Sequence, residues 1–284
     1  MQRLWTNRIA AAYLGVVAVL VLAHRNQVEH WLFLVGAHLL LAAAILSLER
    51  MPPSAPGAAR FLRDWYPVPL FGLLFKEVEV LAAAFGNWGL TALVRRLEER
   101  IFGGQPAAYL SDMFAWVPLS EFLHFSYISY LAFMPVVGGI WYAKDRRDAF
   151  HELMLLFTAT MAASYTFFIL WPVDSPYYLL DPPGPPLAGN FFYELVHFVS
   201  DRGGARGGAF PSAHVSIACI VWAVAWTRDR RLALMLTPLV AGILVATVYG
   251  RFHCVLDVVA GVVLAGLVFC SYRAALRPTR YVAR

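Results

Sequence analysis

The sequence predicts an all-α polytopic membrane protein. Of its 284 residues, 60% are hydrophobic and only 14% charged, against roughly a quarter charged in a typical soluble domain, and the mean hydropathy is +0.60. Continuous apolar runs recur along the chain at close to the length of about twenty residues that a helix needs to cross hydrocarbon. They do not alternate as barrel strands do, so helices are the form in which their backbone groups are satisfied in lipid.

Eight runs are read, at about 8–23, 29–47, 65–85, 113–142, 153–171, 210–226, 232–250 and 255–273. The first follows basic residues and ends in "VLA", as a signal peptide does, but another apolar run follows at once and a retained anchor is preferred. With the N-terminus inside, 15 of the 23 lysines and arginines fall on cytoplasmic segments and 7 on the other side, Lys76 lying within a run. That asymmetry satisfies the positive-inside rule and supports this orientation; the expected location is a bacterial inner membrane, with the active site facing outside. The net charge of +5 needs no nucleic-acid partner to explain it. Cys219, Cys254 and Cys270 show no paired spacing and read as small buried residues.

Two stretches stand outside the runs. In 86–112, "LTALVRRLEERIFGG" has the spacing of a helix lying on the bilayer surface, read as an amphipathic connector without chemistry. The second, 172–209, is rich in proline and glycine and too long for a bare connection, the mark of a functional loop.

The chemistry concentrates in two clusters, "GGAFPSAH" ending at His214 and "YGRFHCVLDVVAG" from Tyr249 to Gly261. His253 and Asp257 are four apart, so on a helix they share a face, and the carboxylate can hold the imidazole in one tautomer and stabilise its cation. The 39 residues from His214 to His253 allow one span inward, a basic turn at Arg228 to Arg231 and one span back, so both histidines reach the outer face. Gly207, Gly208 and Pro211 can form a turn whose amides, at the start of a helix near Ser212, point at an anion. Arg206 and Arg251 can add charge-assisted hydrogen bonds. Two histidines, a carboxylate and arginines around an anion pocket suggest phosphoryl transfer through a phosphohistidine, with His253 attacking phosphorus and His214 protonating the leaving oxygen. Arginines and helix-terminal amides neutralise the developing charge, so neither metal nor cofactor is expected.

At these residues the chain resembles the type 2 phosphatidic acid phosphatase (PAP2) superfamily of lipid phosphatases and phosphotransferases, whose pattern is KxxxxxxRP, then PSGH, then SRxxxxxHxxxD. Pro211-Ser212-Ala213-His214 matches the second block with alanine for glycine, and His253 to Asp257 matches HxxxD. The resemblance implies that His253 is the nucleophile, Asp257 its partner and His214 the proton donor. It also implies a six-helix core over about 65–273 preceded by two added transmembrane helices. The domain division expected is therefore 1–64 for those helices and their linker and 65–284 for the catalytic membrane domain.

The family arginine six positions before the nucleophile falls here at Thr247; Arg251 is the replacement at hand. No KxxxxxxRP precedes the PSAH block, where "WPVDSP" (Trp171 to Pro176) stands instead. That element, with "EFLHFSYISY" and "RFHCVLD", looks more like the inositol phosphorylceramide synthase branch, whose members pass a phosphoryl or phosphorylated head group to an alcohol. The expected partners are a phosphorylated lipid substrate, membrane lipids and an alcohol acceptor such as inositol. Lipid identity, choice of water or alcohol, and oligomeric state are left open.

Two rivals come from other classes. Glu121 to His124 ("EFLH") and Glu194 to His197 ("ELVH") are Glu-x-x-His pairs, the ingredients of a di-iron oxidase in a four-helix bundle. A lipid binder or transporter would use the basic pocket without needing His253 paired with Asp257, and no inverted repeat favours it. Glu77, Glu79, Glu121 and His124, at membrane depth, read as structural pairs.

Overall fold

The computed structural model describes residues 1–52, 55–181, 187 and 190–275. Arg277, Arg280 and Arg284, three of the 15 basic residues expected on the cytoplasmic side, and part of the 172–209 loop lie outside the described residues. The helices, in order, are α1 (Gln2–Ala23), α2 (Trp31–Ser47), α3 (Gly57–Trp65), α4 (Pro67–Phe85), α5 (Gly89–Phe102), α6 (Pro106–Met113), α7 (Val117–Ala143), α8 (Arg147–Leu170), α9 (Phe191–Gly203), α10 (Ala213–Arg228), α11 (Arg230–Tyr249) and α12 (Val255–Ala275). Among the described residues no strand forms; an isolated bridge joins Val173 to Gly208.

Each of the eight apolar runs is a helix, and six are long and apolar enough to cross a membrane: α1, α2 with its extension to Arg50, α7, α8, α11 and α12. The other two differ for physical reasons. Helix α4 carries three charges, Lys76, Glu77 and Glu79, within about one turn, and α10 has 16 residues. The chain is an integral, polytopic, all-helical membrane protein.

Helix α8 is the axis of the bundle. Its apolar stretch is 72% buried against 11% in α2, as expected when a helix apolar all round is ringed by protein and a peripheral helix faces lipid. One buried apolar cluster runs from Ala10 on α1 through α4, α7, α8, α10 and α11 to Ala265 on α12. Two polar pairs at membrane depth join helices. The Tyr165 hydroxyl donates to the Phe71 carbonyl at 2.8 Å, and His38 Nε2 lies 3.1 Å from Glu77. At one end of the bundle Arg228 pairs with Glu152, and Arg146 reaches Asp229 at 3.1 Å. The stretch 86–112, expected to be a connector, forms α5 and α6 and buries Glu98 and Ser111 completely.

Close packing of α10 on α12 positions the histidine clusters. The Ser212 N–H donates to the Asp257 carbonyl at 3.0 Å, and the Ser216 hydroxyl donates to the Gly261 carbonyl at 3.0 Å. A Cβ at Gly261 would stand 2.7 Å from the Ser212 carbonyl oxygen and 3.1 Å from the Val215 Cβ, so only glycine permits the approach. Gly261→Ala must push the helices apart, and overpacking of this kind costs about 1–3 kcal/mol. A lowered thermal unfolding midpoint of the purified variant, together with loss of whatever activity depends on His214 and His253, is the expected outcome.

Candidate active site

The turn from α11 to α12 presents His253. The Thr247 carbonyl accepts the N–H groups of Phe252 at 2.9 Å and His253 at 2.8 Å, and Ser175 donates its hydroxyl to the Phe252 carbonyl. Arg251 holds a left-handed backbone with φ +62°, a conformation that costs a bulky residue energy and persists only where its surroundings enforce it. Its guanidinium supplies the enforcement: one Nη donates to the Asp181 carbonyl, the other to the Asp112 carboxylate at 3.0 Å and Ser111 at 3.3 Å. Helix α12 then starts under two carboxylates. Asp257 accepts from the Cys254 N–H at 2.8 Å, and Glu98 accepts from the Val255 N–H, satisfying amides that a helix N-terminus leaves without intrahelical partners.

The structure brings His214, His253 and Asp257 together. His253 Nε2 lies 3.4 Å from His214 Nδ1, and on its other side His253 Nδ1 lies 3.4 Å from Asp257 Oδ2. Asp257 is fully buried and His253 nearly so. His214 sits on the first turn of α10, after the Ser212 N-cap. The His214 ring stacks on Tyr127 with centroids 4.8 Å apart and packs against Tyr130 at 4.6 Å. Tyr127 in turn stacks on Phe252 at 4.3 Å. One imidazole thus has a nitrogen directed at the other and a carboxylate behind it, the geometry of a nucleophile with an orienting acid and a nearby proton carrier.

The expected anion-binding residues are placed differently from one another. Ser212 is buried, and its side chain caps α10 by accepting from the Val215 N–H. Arg206 is half-exposed and forms a two-point pair with Asp174 of "WPVDSP" at 2.8 and 3.3 Å. Arg251 is the clamp just described. Both guanidiniums are therefore already matched to carboxylates, Asp174 and Asp112. Around Arg206 the loops are tied by Val173 N–H to Gly207 O at 3.0 Å and Ala209 N–H to Val173 O at 3.1 Å.

Three contributors were not singled out by sequence reasoning. Tyr127 and Tyr130 were quoted within "EFLHFSYISY", and their i, i+3 spacing on α7 marks a shared face. Glu98 sits in a charged run that gives no sign of burial, and only the tertiary contact with α12 reveals it. The two Glu-x-x-His pairs do converge, with the rings of His124 and His197 5.9 Å apart. Yet Glu121 uses both carboxylate oxygens to accept the N–H groups of Phe192 and Tyr193, at 2.9 and 3.0 Å, at the start of α9. Among the described residues no group of three or more His, Cys, Asp or Glu is arranged to hold a metal ion.

A family model described as the PAP2 superfamily matches residues 92–271. No curated protein and no solved structure matches the chain.

Burial sets the electrostatics of the turn. It raises the Glu98 carboxyl above its ordinary range, against the opposing pull of the α12 amides and a Cys254 contact. It also lowers the His253 imidazole to about 4, with the Ala209 carbonyl opposing. A histidine with a lowered pKa keeps its lone pair down to that pH, so the His253 imidazole is neutral throughout pH 5 to 8. The ring carbon signal of His253 in isotope-labelled protein should accordingly titrate near pH 4. A midpoint near the ordinary value of about 6.5 would mean that the imidazole is hydrated and not buried as described.

Proposed function

The chain belongs to the PAP2 superfamily, and on that premise we propose that it is a membrane lipid phosphatase or phosphotransferase working through a phosphohistidine. The observation that carries this reading is the line from Asp257 through His253 to His214, with 3.4 Å at each step. In the first half-reaction the His253 Nε2 lone pair forms a bond to phosphorus. The P–O bond to the lipid breaks, and the leaving oxygen takes a proton from the His214 imidazolium. Asp257, behind Nδ1, stabilises the positive charge left on the phosphorylated ring. In the second half-reaction neutral His214 removes a proton from the incoming hydroxyl, whose oxygen attacks phosphorus as the P–N bond breaks. His253 is then free again.

Two sources of positive character meet the phosphate: the first amides of α10, and Arg206, which exchanges Asp174 for a phosphate oxygen as substrate arrives. Arg251 acts chiefly by holding the turn. The substrate is an amphiphile whose chains remain in the bilayer; the positive-inside asymmetry supports an extracytoplasmic site, in the bacterial inner membrane expected from the sequence.

A second reading, transfer to an alcohol in the manner of inositol phosphorylceramide synthases, is favoured by His124 and His197. Each donates Nδ1–H to the carbonyl four residues back, Ser120 at 2.7 Å and Tyr193 at 2.8 Å. Each Nε2 is therefore an acceptor, and among the described residues neither buried atom has a hydrogen-bond partner. Both rings pack around Phe252, the residue before His253. Hydroxyls of an acceptor such as inositol would satisfy them.

The test follows labelled phosphate from a panel of lipid phosphates and phospholipids, with and without inositol, in the native protein and His253→Ala. Free labelled phosphate that disappears in the variant is expected of a phosphatase, and label carried into inositol or a second lipid of a transferase. Activity retained by His253→Ala would refute the phosphohistidine route.

A further inference from the structure

A polar cavity of about 560 Å³ opens at the end of the bundle away from the histidines. Its place follows from α10, which starts beside His214 and ends at Arg228, where that side chain grips Glu152 on α8. The cavity includes His151, the neighbour of Glu152. Sixteen residues of helix span about 24 Å, so the two sites are separated by most of a bilayer core.

The charge lining the cavity is unbalanced. Arg3, Arg60, Arg63 and Arg147 face two carboxylates, Asp64 and Asp145. Arg63 pairs with Asp64 at 2.9 Å. Arg147 pairs with Asp145 at 2.8 Å, its guanidinium 3.6 Å from the centre of the Tyr142 ring. Among the described residues no hydrogen bond or ion pair engages the side chains of Arg3 and Arg60. Two guanidiniums thus remain for an anion, beside a histidine and an aromatic wall.

Helix α3 indicates where the anion comes from. It lines the cavity with Arg60, Phe61 and Arg63, and leaves Phe61 48% and Leu62 68% exposed at the cavity rim. Large apolar side chains beside arginines on a nine-residue helix at the end of a membrane bundle suit a segment lying in the lipid interface. We propose that this cavity binds the phosphate of an anionic phospholipid head group from the leaflet opposite the histidine site, with Arg3 and Arg60 as the principal ligands. Basic pockets between transmembrane helices are a recurrent means of holding such head groups. The assignment is independent of the chemistry proposed for His253.

The experiment measures retention of labelled phosphatidylglycerol by the full-length protein in phosphatidylcholine nanodiscs, in the native chain, in Arg3→Gln, in Arg60→Gln and in the double variant. Affinity should fall about fivefold for each arginine removed and be largely preserved in Arg60→Lys. Phosphatidylcholine alone should not compete. Inorganic phosphate is the second probe: weak competition agrees with a lipid head group, whereas displacement of the lipid at equal concentration would assign the site to free phosphate and overturn the lipid source. Unchanged retention in a double variant with the native unfolding midpoint would overturn the site altogether. If the double variant does not fold, the exposed Arg60→Gln single variant decides by the same criterion.

Discussion

The contact between α10 and α12 is the constraint on which the rest depends. His214 is carried by one helix and Asp257 by the other, and no covalent link shorter than the whole of α11 joins them. The missing side chain at Gly261 and the Ser212 and Ser216 hydrogen bonds bring the two backbones close enough to share the site. Because Ser212 bonds the backbone of Asp257 itself, the N-terminus of α10 and the carboxylate behind His253 are in register by construction. In a membrane, close packing at small residues and interhelical hydrogen bonds join helices where the hydrophobic effect does not.

Around that contact, the non-spanning segments act as braces. Glu98 on α5 reaches the start of α12, Arg251 ties the turn to α6 and to Asp181, Ser175 holds Phe252, and Glu121 on α7 caps α9. Each brace is a charged or hydroxyl group meeting a backbone amide, a carbonyl or an opposite charge where water is scarce. There an unmet polar group would cost more than the bond returns in solution. The loops that look irregular in sequence are therefore those with the most specific polar contacts.

The sequence was most legible where periodicity or a short motif carries the information. All eight apolar runs are helices, and the spacing from His214 to His253 correctly implied one helical hairpin between them. The pairing of His253 with Asp257 was legible from their spacing, but not for the reason expected: His253 lies in the turn before α12 and Asp257 in the first turn of that helix, so they meet across the helix start and not along one helix face. What was illegible depends on contacts distant in sequence. Glu98 lies 157 positions from Val255, and nothing in "VRRLEER" distinguishes it from Glu99, which is exposed. Arg206 and Arg251 could be nominated from proximity to the motifs, but their carboxylate partners, Asp174 and Asp112, emerge only from the fold. Charge at membrane depth was likewise only half readable: Glu77 turns to His38 of α2, while Lys76 and Glu79 turn to the loop that carries Arg206.

Thr247 shows how such a site becomes entrenched. The turn asks this position only for its carbonyl oxygen, while the side chain is fully buried and its hydroxyl donates back to Leu244. A guanidinium introduced there alone would have to displace packed core. Arg251, by contrast, holds the turn through Asp112, Ser111 and Asp181. Exchanging the two roles would therefore require repacking the core at position 247 and rebuilding the turn at position 251 together.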